Sequence, residues 1–525
     1  MDPNPVDIDL YAEIPYQSTA IAETHPHHLA ALGRLFGLQS APSTSCRVLE
    51  LGCGSGGNLI PMAWYLPASE FVGVELSPAP VAKAQQTIAA LGLTNVEVRQ
   101  GNILCLGAEL GQFDYIIAHG VYSWVPEDVR RALLALCRVA LQPHGIGYIS
   151  YNTLPGWRIR NMLRDMLRHH ARGIESPSQQ ITAARALLAL LEPVVEKSQD
   201  PYARALRQDL KRLREADDGY LYHEYLESNN EPLLFTSFVA DAQRHGLTYL
   251  CDTSLHTMFP SGLSAEAQAV LEPVDNFLEQ EQYLDFLSNR TFRQSLLCHA
   301  EREPLRELDL ERLDGLSCYA QLAPAQKLNL RRVQAEHFVS PQGPRCAVKH
   351  PLTKAALSVL EASYPNALAF ADLLIRSQVM VEQAGGSRFA AEVNNLRYEL
   401  LDLFGRSLIG LSVAPTESAV PDLCRPRASG LARQECNDGC VTSVWHRELQ
   451  LDTLSAHLLG LLDGSRTVDD LSQALLTEIK TGQLSVPGAR GANRTPSLPE
   501  VRANIERLLR VFARQGVLCD NDLRD

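Results

Sequence analysis

The chain has 525 residues, which is too many for one ordinary hydrophobic core, so we expect two or three domains. Hydrophobic residues make up 45% of the composition, enough to fill that many cores. The formal net charge of −13 at pH 7 argues against a nucleic-acid partner held by a broad basic surface, and it favours small ligands or basic polypeptides.

The first 155 residues alternate strand and helix patterns, which is typical of a parallel sheet covered on both faces. The five predicted strands are RVLELG, FVGVEL, VEVRQG, FDYIIAH and GIGYISYN. Helix-like apolar spacing separates them at 58–66, 80–91 and 127–141. The pattern predicts an open, doubly wound, Rossmann-like α/β sheet, with residues 1–155 as its ligand-binding core.

The pattern turns helical over residues 156–231, which predicts a helical insertion into the sheet. Strand patterns return in LTYLCDTS and FRQSLLCH, so residues 232–304 are expected to complete the same sheet. Residues 305–525 are mostly helical in pattern. Within them, 352–415 and 441–520 look like winged-helix-like units of two helices and a late strand such as SLIGLSV or GVLCD, and VTSVWH also reads as a strand. The absence of a basic stripe argues against DNA binding by either unit.

The stretch VLELGCGSGG, residues 48–57, is an apolar strand pattern followed by a glycine cluster. Glycines between a strand and a helix let backbone N–H groups at the helix start face a ligand without a Cβ in the way. The cluster fits two motifs, the dinucleotide spacing Gly52-x-Gly54-x-x-Gly57 and the S-adenosylmethionine (SAM) spacing Glu50-x-Gly52-x-Gly54-x-Gly56. The motif alone leaves the choice between these cofactors open.

Positions after the next three strands favour SAM. Glu75 ends the second strand, where both cofactors need an acid for a ribose diol. Asn102 and Ile103 follow the third strand, where a polar side chain can meet the adenine amino group. The fourth strand ends at the switch point of the sheet and is followed by Tyr122 and Trp124, a layout that suits SAM.

Six stretches together resemble the bacterial class I methyltransferases that carry a methyltransferase regulatory domain, a family that includes the rickettsial protein-lysine methyltransferases of outer-membrane proteins. The resemblance runs from about Tyr11 to His299, and more faintly to the end of the chain. It implies SAM-dependent methyl transfer to protein, with the early segment of Tyr11, Pro15, Tyr16 and His25 as a lid over the cofactor. The six stretches are LELGCGSGGNLIPMA, GVELSP, FDYIIAHGVYSWVP, YISYNTLPGW, YHEYLESNNEP and EQYLDFLSNRTFRQSLLCH.

Carried over position by position, the resemblance places the glycine motif at the methionine end of SAM. It places Glu75 at the ribose, and Asn102 with Ile103 at the adenine, although many class I enzymes have Asp where this chain has Asn102. The expected cofactor-binding residues are Tyr11, Tyr16, Glu50, Gly52, Gly54, Gly56, Glu75, Leu76, Asn102, Ile103 and His119.

Five residues at the substrate edge of the sheet are candidates to handle the acceptor. Tyr151 and Asn152 end the fifth strand and Tyr122 follows the fourth, at the edge where open α/β sheets place substrates. The oxygen atoms of such side chains can accept hydrogen bonds from the N–H groups of an amine and so orient its lone pair. His223 and Glu224 end the helical insertion, where they could draw in a cationic side chain. The alternatives are core packing for the tyrosines and a solvated helix end for the His–Glu pair.

Three functions stay open at this point: a protein-lysine methyltransferase, a small-molecule or natural-product methyltransferase, and a SAM-binding regulatory protein without turnover. No Asn/Asp-Pro-Pro-aromatic tetrapeptide follows FDYIIAH, which counts against methylation of nucleobase amino groups. A homodimer is kept as a hypothesis that no residue pattern tests.

The twelve cysteines are scattered and no charged-then-apolar leader opens the sequence, so we expect a cytoplasmic protein without a disulfide framework. No apolar run approaches the ~20 residues that span a bilayer, so membrane insertion is not expected. Cys424, Cys436, Cys440 and His446 could be drawn as four zinc ligands, but their spacing matches no common zinc motif, so no metal is expected.

Overall fold

The computed structural model describes residues 14, 18–341, 343–386, 391–416, 421–484 and 496–519. The chain divides into two compact units. Unit 1 contains Met1–Thr19, Leu32–Ala63 and Pro67–Leu308, and unit 2 contains Ala20–Ala31, Trp64–Leu66 and Asp309–Asp525. Within the described residues, no helix combines the length and the apolar character needed to cross a membrane.

Unit 1 is built on a seven-stranded mixed sheet. Its strands are β1 (Arg47–Leu51), β2 (Glu70–Glu75), β3 (Val96–Gln100), β4 (Phe113–Ala118), β5 (Leu141–Asn152), β6 (Leu247–Asp252) and β7 (Phe292–His299). Their order across the sheet is β3-β2-β1-β4-β5-β7-β6. The first five strands pair in parallel, and β7 is antiparallel to both of its neighbours. The predicted open Rossmann-like sheet is confirmed, including its last two strands.

The strands form where apolar residues fill both faces, as expected of parallel strands covered by helices. In β1, Val48, Leu49 and Leu51 are fully buried. A helix starts at Pro78, directly after Ser77, because a proline at the first helical position lacks only an N–H that would be unsatisfied there. The helices before and between the first five strands are α1 (Pro26–Leu35), α2 (Leu59–Tyr65), α3 (Pro78–Ala90) and α4 (Glu127–Ala140).

The predicted helical insertion between β5 and β6 consists of four helices, which are α5 (Gly156–Ala171), α6 (Pro177–Lys197), α7 (Pro201–Glu215) and α8 (Asp218–Tyr225). They pack around an apolar cluster of their own, which includes Leu167, Leu188 and Leu210. Three more helices complete unit 1: α9 (Phe235–Arg244), α10 (Ala265–Leu271) and α11 (Phe277–Ser288). The insertion therefore leaves the sheet after β5, and the chain re-enters it at β6.

A buried charge cluster joins β6, β7 and α11. The Arg293 guanidinium, on a residue 1% exposed, lies 2.6 Å from the Asp252 carboxylate, 2.9 Å from Asp285 and 3.0 Å from Glu281. Arg290 lies 3.0 Å from Asp252 and 3.1 Å from Asp285. Three carboxylates thus share two guanidinium groups away from water. Burial raises the pKa of Glu281, and the charge of Arg293 opposes that rise.

Unit 2 is mixed rather than only helical. Its helices are α12 (Pro351–Ser363), α13 (Phe370–Gln383), α14 (Ala391–Gly405), α15 (Gly430–Glu435), α16 (Thr453–Leu461), α17 (Val468–Thr481) and α18 (Leu498–Arg514). Its short strands are β8 (Ser317–Tyr319), β9 (Ala323–Pro324), β10 (Glu336–Val339), β11 (Arg345–Val348), β12 (Leu368–Ala369), β13 (Gly410–Ser412), β14 (Cys440–Thr442) and β15 (Glu448–Gln450). The orders β11-β10-β9 and β12-β8-β13 give two three-stranded sheets that the sequence pattern did not reveal.

Two strand predictions need correction. VTSVWH was expected to be one strand, but β14 ends at Thr442, and His446 has the left-handed φ of +56° that a turn requires. GVLCD makes only an isolated bridge from Leu518 to Ala428. Segments this short have too few residues to display the alternation by which a strand is recognised.

Replacing Arg293 by Met should lower the free energy of unfolding by about 3–5 kcal/mol, because three buried carboxylates would lose their principal cation. Urea unfolding followed by circular dichroism measures the loss. Arg131→Met is the matched control, since Arg131 pairs with Glu127 on the exposed face of α4. That control should change the free energy by less than about 1 kcal/mol. Equal losses in the two variants would contradict a structural role for the cluster.

Candidate functional site

The glycine loop lies between β1 and α2. Gly52, Gly54 and Gly56 have φ angles of +70°, +54° and +79°, a left-handed conformation that other residues rarely adopt. A Cβ at Gly52 would come within 2.6 Å of the Val121 side chain, and one at Gly56 within 2.8 Å of Ile60. The sequence prediction that these glycines are required by backbone geometry agrees with these contacts. The loop leads into the N-terminus of α2, where main-chain N–H groups can face an anionic or polar ligand.

Glu75 connects the end of β2 to this loop. Its Oε2 accepts a hydrogen bond from the Gly54 N–H at 3.0 Å, and its Oε1 accepts one from the Ser77 N–H at 2.9 Å. Each carboxylate oxygen has a second lone pair, so both remain able to accept bonds from a diol. Glu75 therefore has a structural task in addition to the ribose contact expected of it.

Glu50 is a buried acid on β1, 4% exposed. Its Oε1 accepts a hydrogen bond from the Asn58 amide at 2.8 Å, and within the described part of the chain its Oε2 is buried with no hydrogen-bond partner. Burial, with the nearby Glu75 charge, raises the pKa of Glu50 to about 8. An orphaned carboxylate oxygen beside an open glycine loop fits a ligand with a cationic end. The methionine end of SAM has an ammonium group, so the residues present fit this cofactor.

The adenine side of the cleft follows β2 and β3. The Asn102 Oδ1 accepts from the Leu104 N–H at 3.0 Å and starts a short helical turn at Ile103–Cys105. The Asn102 Oδ1 keeps a second lone pair that can accept from the adenine amino group, and the Asn102 amide N–H group can donate to an adenine ring nitrogen. Leu76 is 38% exposed and Leu104 41%, so apolar surface is available to a flat ring.

His119 follows β4. Its Nδ1 lies 2.8 Å from the Tyr148 hydroxyl, and its ring meets the Phe292 ring edge-on at 5.9 Å. Burial lowers the pKa of His119 to about 4, so the imidazole is neutral at pH 7. A neutral imidazole next to aromatic rings is suited to lining a cofactor cleft and unsuited to binding an anion.

The expected lid residues Tyr11, Pro15 and Tyr16 lie outside the described residues. Ser18, which is described, rests on the glycine loop: its Oγ accepts from the Gly57 N–H at 2.9 Å, and its carbonyl oxygen lies 2.0 Å from where a Cβ of Gly57 would stand. Gly57 must therefore lack a side chain for this segment to approach. Sequence reasoning missed Ser18 because nothing in its neighbourhood signals a contact with a loop so far along the chain.

The fourth lid candidate, His25, belongs to unit 2. Its ring is 3% exposed and lies 4.7 Å from that of His27 and 5.1 Å from that of His446, between ring centroids. The expectation that His25 belongs to the lid is replaced by this buried histidine cluster. Burial, reinforced by the neighbouring histidines, keeps the pKa of His25 well below its ordinary value.

The two tyrosines proposed for the acceptor are core residues. Tyr151 and Tyr122 are each 1% exposed, and both rings pack on Phe238 of α9, with centroid distances of 4.2 and 5.3 Å. The Tyr151 hydroxyl bonds Ser295 at 3.2 Å, towards the buried charge cluster. Rings with so little exposed surface offer an acceptor almost nothing to touch, so the alternative of core packing is the one the structure favours.

The two residues of the predicted His–Glu pair have different roles in the structure. The two ring nitrogens of His223 have partners within the chain, the Ile14 carbonyl at 2.8 Å and Glu227 at 3.2 Å, so this histidine is a packing residue and its predicted acceptor contact is wrong. Glu224 is half-buried, and burial raises its pKa to about 7 against the opposing charges of Arg160 and Arg212. Glu224 keeps the properties of a candidate that can hold or accept a proton near neutral pH.

Asn152 also remains a candidate. It is 4% exposed at the end of β5, and its Nδ2 donates to the Asn230 Oδ1 at 3.0 Å. Its own Oδ1 is then the atom that can accept an N–H bond. The return loop after the insertion lies beside it, since the Glu231 N–H donates to the Ser123 carbonyl at 2.8 Å. The pairing of Asn230 with Asn152 could not be predicted from the sequence, because it joins the return loop to a strand far away in the chain.

The four residues considered as possible zinc ligands do not form a metal site in the described structure. Cys424 is exposed, Cys436 is buried, Cys440 is half-buried, and His446 packs among histidines. Over the ranges that the structure describes, no three His, Cys, Asp or Glu side chains are arranged to hold a metal ion.

Three family models match separate parts of the chain. A methyltransferase domain matches residues 48–145, and a predicted methyltransferase regulatory domain matches residues 217–299. The model described as "PKMT, C-terminal winged helix domain" matches residues 425–517. The third match confirms the winged-helix-like fold expected for the last stretch of the chain.

Two relatives and one solved structure are similar over long stretches. An uncharacterised protein of Rickettsia prowazekii (strain Madrid E) is 30% identical over 529 residues, covering 98% of this chain and 94% of that protein. Another uncharacterised protein of the same organism is 37% identical over 234 residues, covering 45% of this chain and 94% of that protein. PKMT2 from Rickettsia typhi, solved in complex with AdoHcy, superimposes with a TM-score of 0.85 at 28% identity, covering 96% of this chain and 100% of that one.

The cofactor fits the cleft residues, a methyltransferase model covers the strands that form the cleft, and a near full-length structural relative was solved with AdoHcy. SAM is therefore the cofactor and the chain is a methyltransferase. It belongs to the bacterial class I SAM-dependent methyltransferases that carry a methyltransferase regulatory domain.

Proposed function

We propose that this enzyme methylates lysine side chains of proteins, with outer-membrane or other surface proteins as the substrate class. The observation that supports this most strongly is the similarity to PKMT2, a rickettsial protein lysine methyltransferase, over 96% of the chain. Because that similarity includes the insertion and unit 2 as well as the sheet, it extends beyond what all class I methyltransferases share.

The chemistry of a lysine acceptor sets the task of the chain's own residues. SAM supplies an electrophilic methyl group on a sulfonium, and the acceptor nitrogen needs a free lone pair to take it. A lysine has a solution pKa near 10.4, so holding it neutral at pH 7 costs about 4–5 kcal/mol. A desolvated site with a proton acceptor tuned near neutral pH can supply part of this.

Glu224 has the properties of that proton acceptor. A carboxylate with a pKa of about 7 attracts a lysine ammonium in its charged form and can then take one of its protons. Its neighbour Tyr225 packs against Trp157, at 6.3 Å between ring centroids, and Trp157 meets Trp124 edge-on at 6.2 Å. The helix that carries Glu224 is thereby connected, through Tyr225 and two tryptophans, to the loop after β4, which is the substrate edge of the sheet.

Two half-buried asparagines carry polar atoms without partners. In the described part of the chain, the Asn161 Oδ1 and the Asn230 Nδ2 are buried and make no hydrogen bond. Buried polar groups are nearly always paired in folded proteins, so unpaired ones on half-buried residues are candidates to bond an incoming ligand. One acceptor and one donor suit a polypeptide, which offers N–H groups and carbonyl oxygens on both sides of a lysine.

We expect the affinity for SAM to depend on the ionisation of Glu50. Its folded pKa of about 8 means that the free protein holds it largely protonated at pH 7, and a cationic ligand favours the ionised form. The ratio of wild-type to Glu50→Gln affinity should therefore rise by about tenfold or more from pH 6 to pH 8, since each pH unit below a pKa removes up to tenfold of the ionised form.

Isothermal titration calorimetry of both proteins at several pH values measures this ratio, and the ligand's own titration cancels in it. Asn58→Ala is a second variant, because it removes a hydrogen bond that stabilises the ionised Glu50 and should move the pH dependence upward. A ratio that stays constant with pH would contradict the assignment of Glu50 to the cationic end of the cofactor.

Glu224→Gln should lower kcat/KM for a lysine-bearing protein by about 5- to 150-fold, the equivalent of 1–3 kcal/mol for a hydrogen bond to a charged group, with KM for SAM nearly unchanged. The ratio of wild-type to variant activity should grow as the pH rises through 7, because the carboxylate is lost below its pKa. Glu215→Gln, an exposed acid at the end of α7, is the matched control and should leave activity unchanged. A variant with a lower melting temperature and normal kinetics would assign Glu224 to structure alone.

The acceptor class is tested with tritiated SAM and whole-cell extract separated into membrane, soluble-protein and small-molecule fractions. We expect label in membrane protein bands, recovered as methyl-lysine after acid hydrolysis, and none with a Glu75→Ala enzyme. Label only in small molecules would establish a small-molecule methyltransferase instead. Absence of transfer by an enzyme that still binds SAM would establish a regulatory binding protein.

A further inference from the structure

A small pocket lies within unit 2, and nothing in the methyl-transfer chemistry makes use of it. Side chains from β8, the end of α12, the turn between α14 and β13, and the segment after β14 line it, among them Tyr319, Tyr364, Ser407 and Arg447. Its volume is about 100 Å³. A small polar group fits such a space.

The walls of the pocket are fixed by packing. The Tyr319 ring stacks on the Trp445 ring with centroids 3.4 Å apart and planes 7° apart. On β13, a Cβ at Gly410 would come within 1.9 Å of the Tyr319 ring, so only glycine lets the main chain lie against it. The Trp445 Nε1 donates to the Pro365 carbonyl at 2.8 Å. The Tyr319 ring is therefore held between a main chain and an anchored indole before any ligand arrives.

Arg447 supplies a positive charge to this pocket. It is half-buried, and no carboxylate of the described residues forms an ion pair with it, although the chain has 61 acidic residues against 48 basic ones. Its main chain is pinned, since its N–H donates to the Ser443 Oγ at 3.1 Å and its carbonyl accepts from the Ser443 N–H at 2.9 Å. A half-buried guanidinium without a counter-ion is a costly arrangement that an anion would relieve.

The charge of Arg447 reaches both phenols of the pocket. Burial raises the pKa of Tyr319 to about 12, and Arg447 opposes that rise. Burial also raises the pKa of Tyr364, again against Arg447. The Tyr364 hydroxyl lies 3.5 Å from the Gln515 Oε1, whereas within the described residues the Tyr319 hydroxyl makes no hydrogen bond. At neutral pH the pocket thus offers a protonated phenol O–H beside the N–H groups of a guanidinium.

We propose that this pocket binds a carboxylate group. A guanidinium presents two parallel N–H groups that match the two oxygens of a carboxylate, and the Tyr319 O–H adds a third donor. The Glu23 carboxylate, which lies close enough to raise the pKa of Tyr319, adds negative charge that disfavours a dianion such as phosphate. One cation, a small volume and a nearby negative charge together select a single carboxylate, supplied either by a free small acid or by an acidic residue of a polypeptide.

The test is a thermal-unfolding titration of the full chain with sodium acetate, with tetraglutamate, and with sodium chloride or phosphate at matched ionic strength. A ligand that binds the folded state raises the melting temperature with a midpoint near its Kd. We expect acetate to stabilise the protein beyond chloride, and Arg447→Gln to shift the acetate midpoint by about tenfold or more. Arg447→Lys, which keeps the charge without the planar fork, should give an intermediate shift.

Two further variants sharpen the result. Arg376→Gln removes an exposed arginine from α13 of the same unit and should leave the acetate midpoint unchanged. Glu23→Gln should lower the midpoint, because it removes the repelling charge. Tighter binding of tetraglutamate than of acetate identifies a polypeptide as the source, and equal binding per carboxylate identifies a free acid. The proposal is overturned if chloride matches acetate, if phosphate binds tenfold more tightly than acetate, or if Arg376→Gln has the same effect as Arg447→Gln.

Discussion

The hydrogen bond from the Gly54 N–H to the Glu75 carboxylate is the contact on which the cofactor cleft depends. It fixes the glycine loop after β1 against the end of β2, in a backbone conformation that residues other than glycine would strain. With the loop held in this way, Ser18 can bond the Gly57 N–H, and the nearby Glu50 has an oxygen without a hydrogen-bond partner among the described residues. If the loop moved, these groups would no longer be held in the positions that form the cleft.

Local patterns were sufficient to predict the sheet. Parallel strands buried on both faces are continuous apolar runs, and helices between them show their own spacing, so β1 to β4 were located to within a residue or two. The start of β5 was missed by four residues, because Pro143 and Gly145 hide the strand character of its first part. Most of the short strands of unit 2 were missed for a different reason: their pairing depends on partners far away in sequence and leaves no local periodicity. The strand predicted in SLIGLSV is an exception, since it contains β13.

The cofactor side of the site was more predictable than the acceptor side. Glycines, the acid that ends β2 and the polar residue after β3 are each set by chain geometry at a strand end, which a sequence displays. The acceptor side depends on which face of β5 a side chain occupies and on what packs above it. Tyr151 and Asn152 are adjacent in sequence, yet one packs on Phe238 in the core and the other reaches Asn230. Nothing local to YISYN distinguishes them.

The buried charge cluster of β6, β7 and α11 bears on how sequences of this family can diverge. A single substitution at any of its five positions leaves a buried charge without its counter-ion and lowers the stability of the fold. Replacing all five residues together by well-packed apolar residues need not lower it. Intermediate sequences between these two solutions pass through states of low stability. Drift at these positions is therefore blocked one residue at a time, and related chains should retain the whole set or lack the whole set.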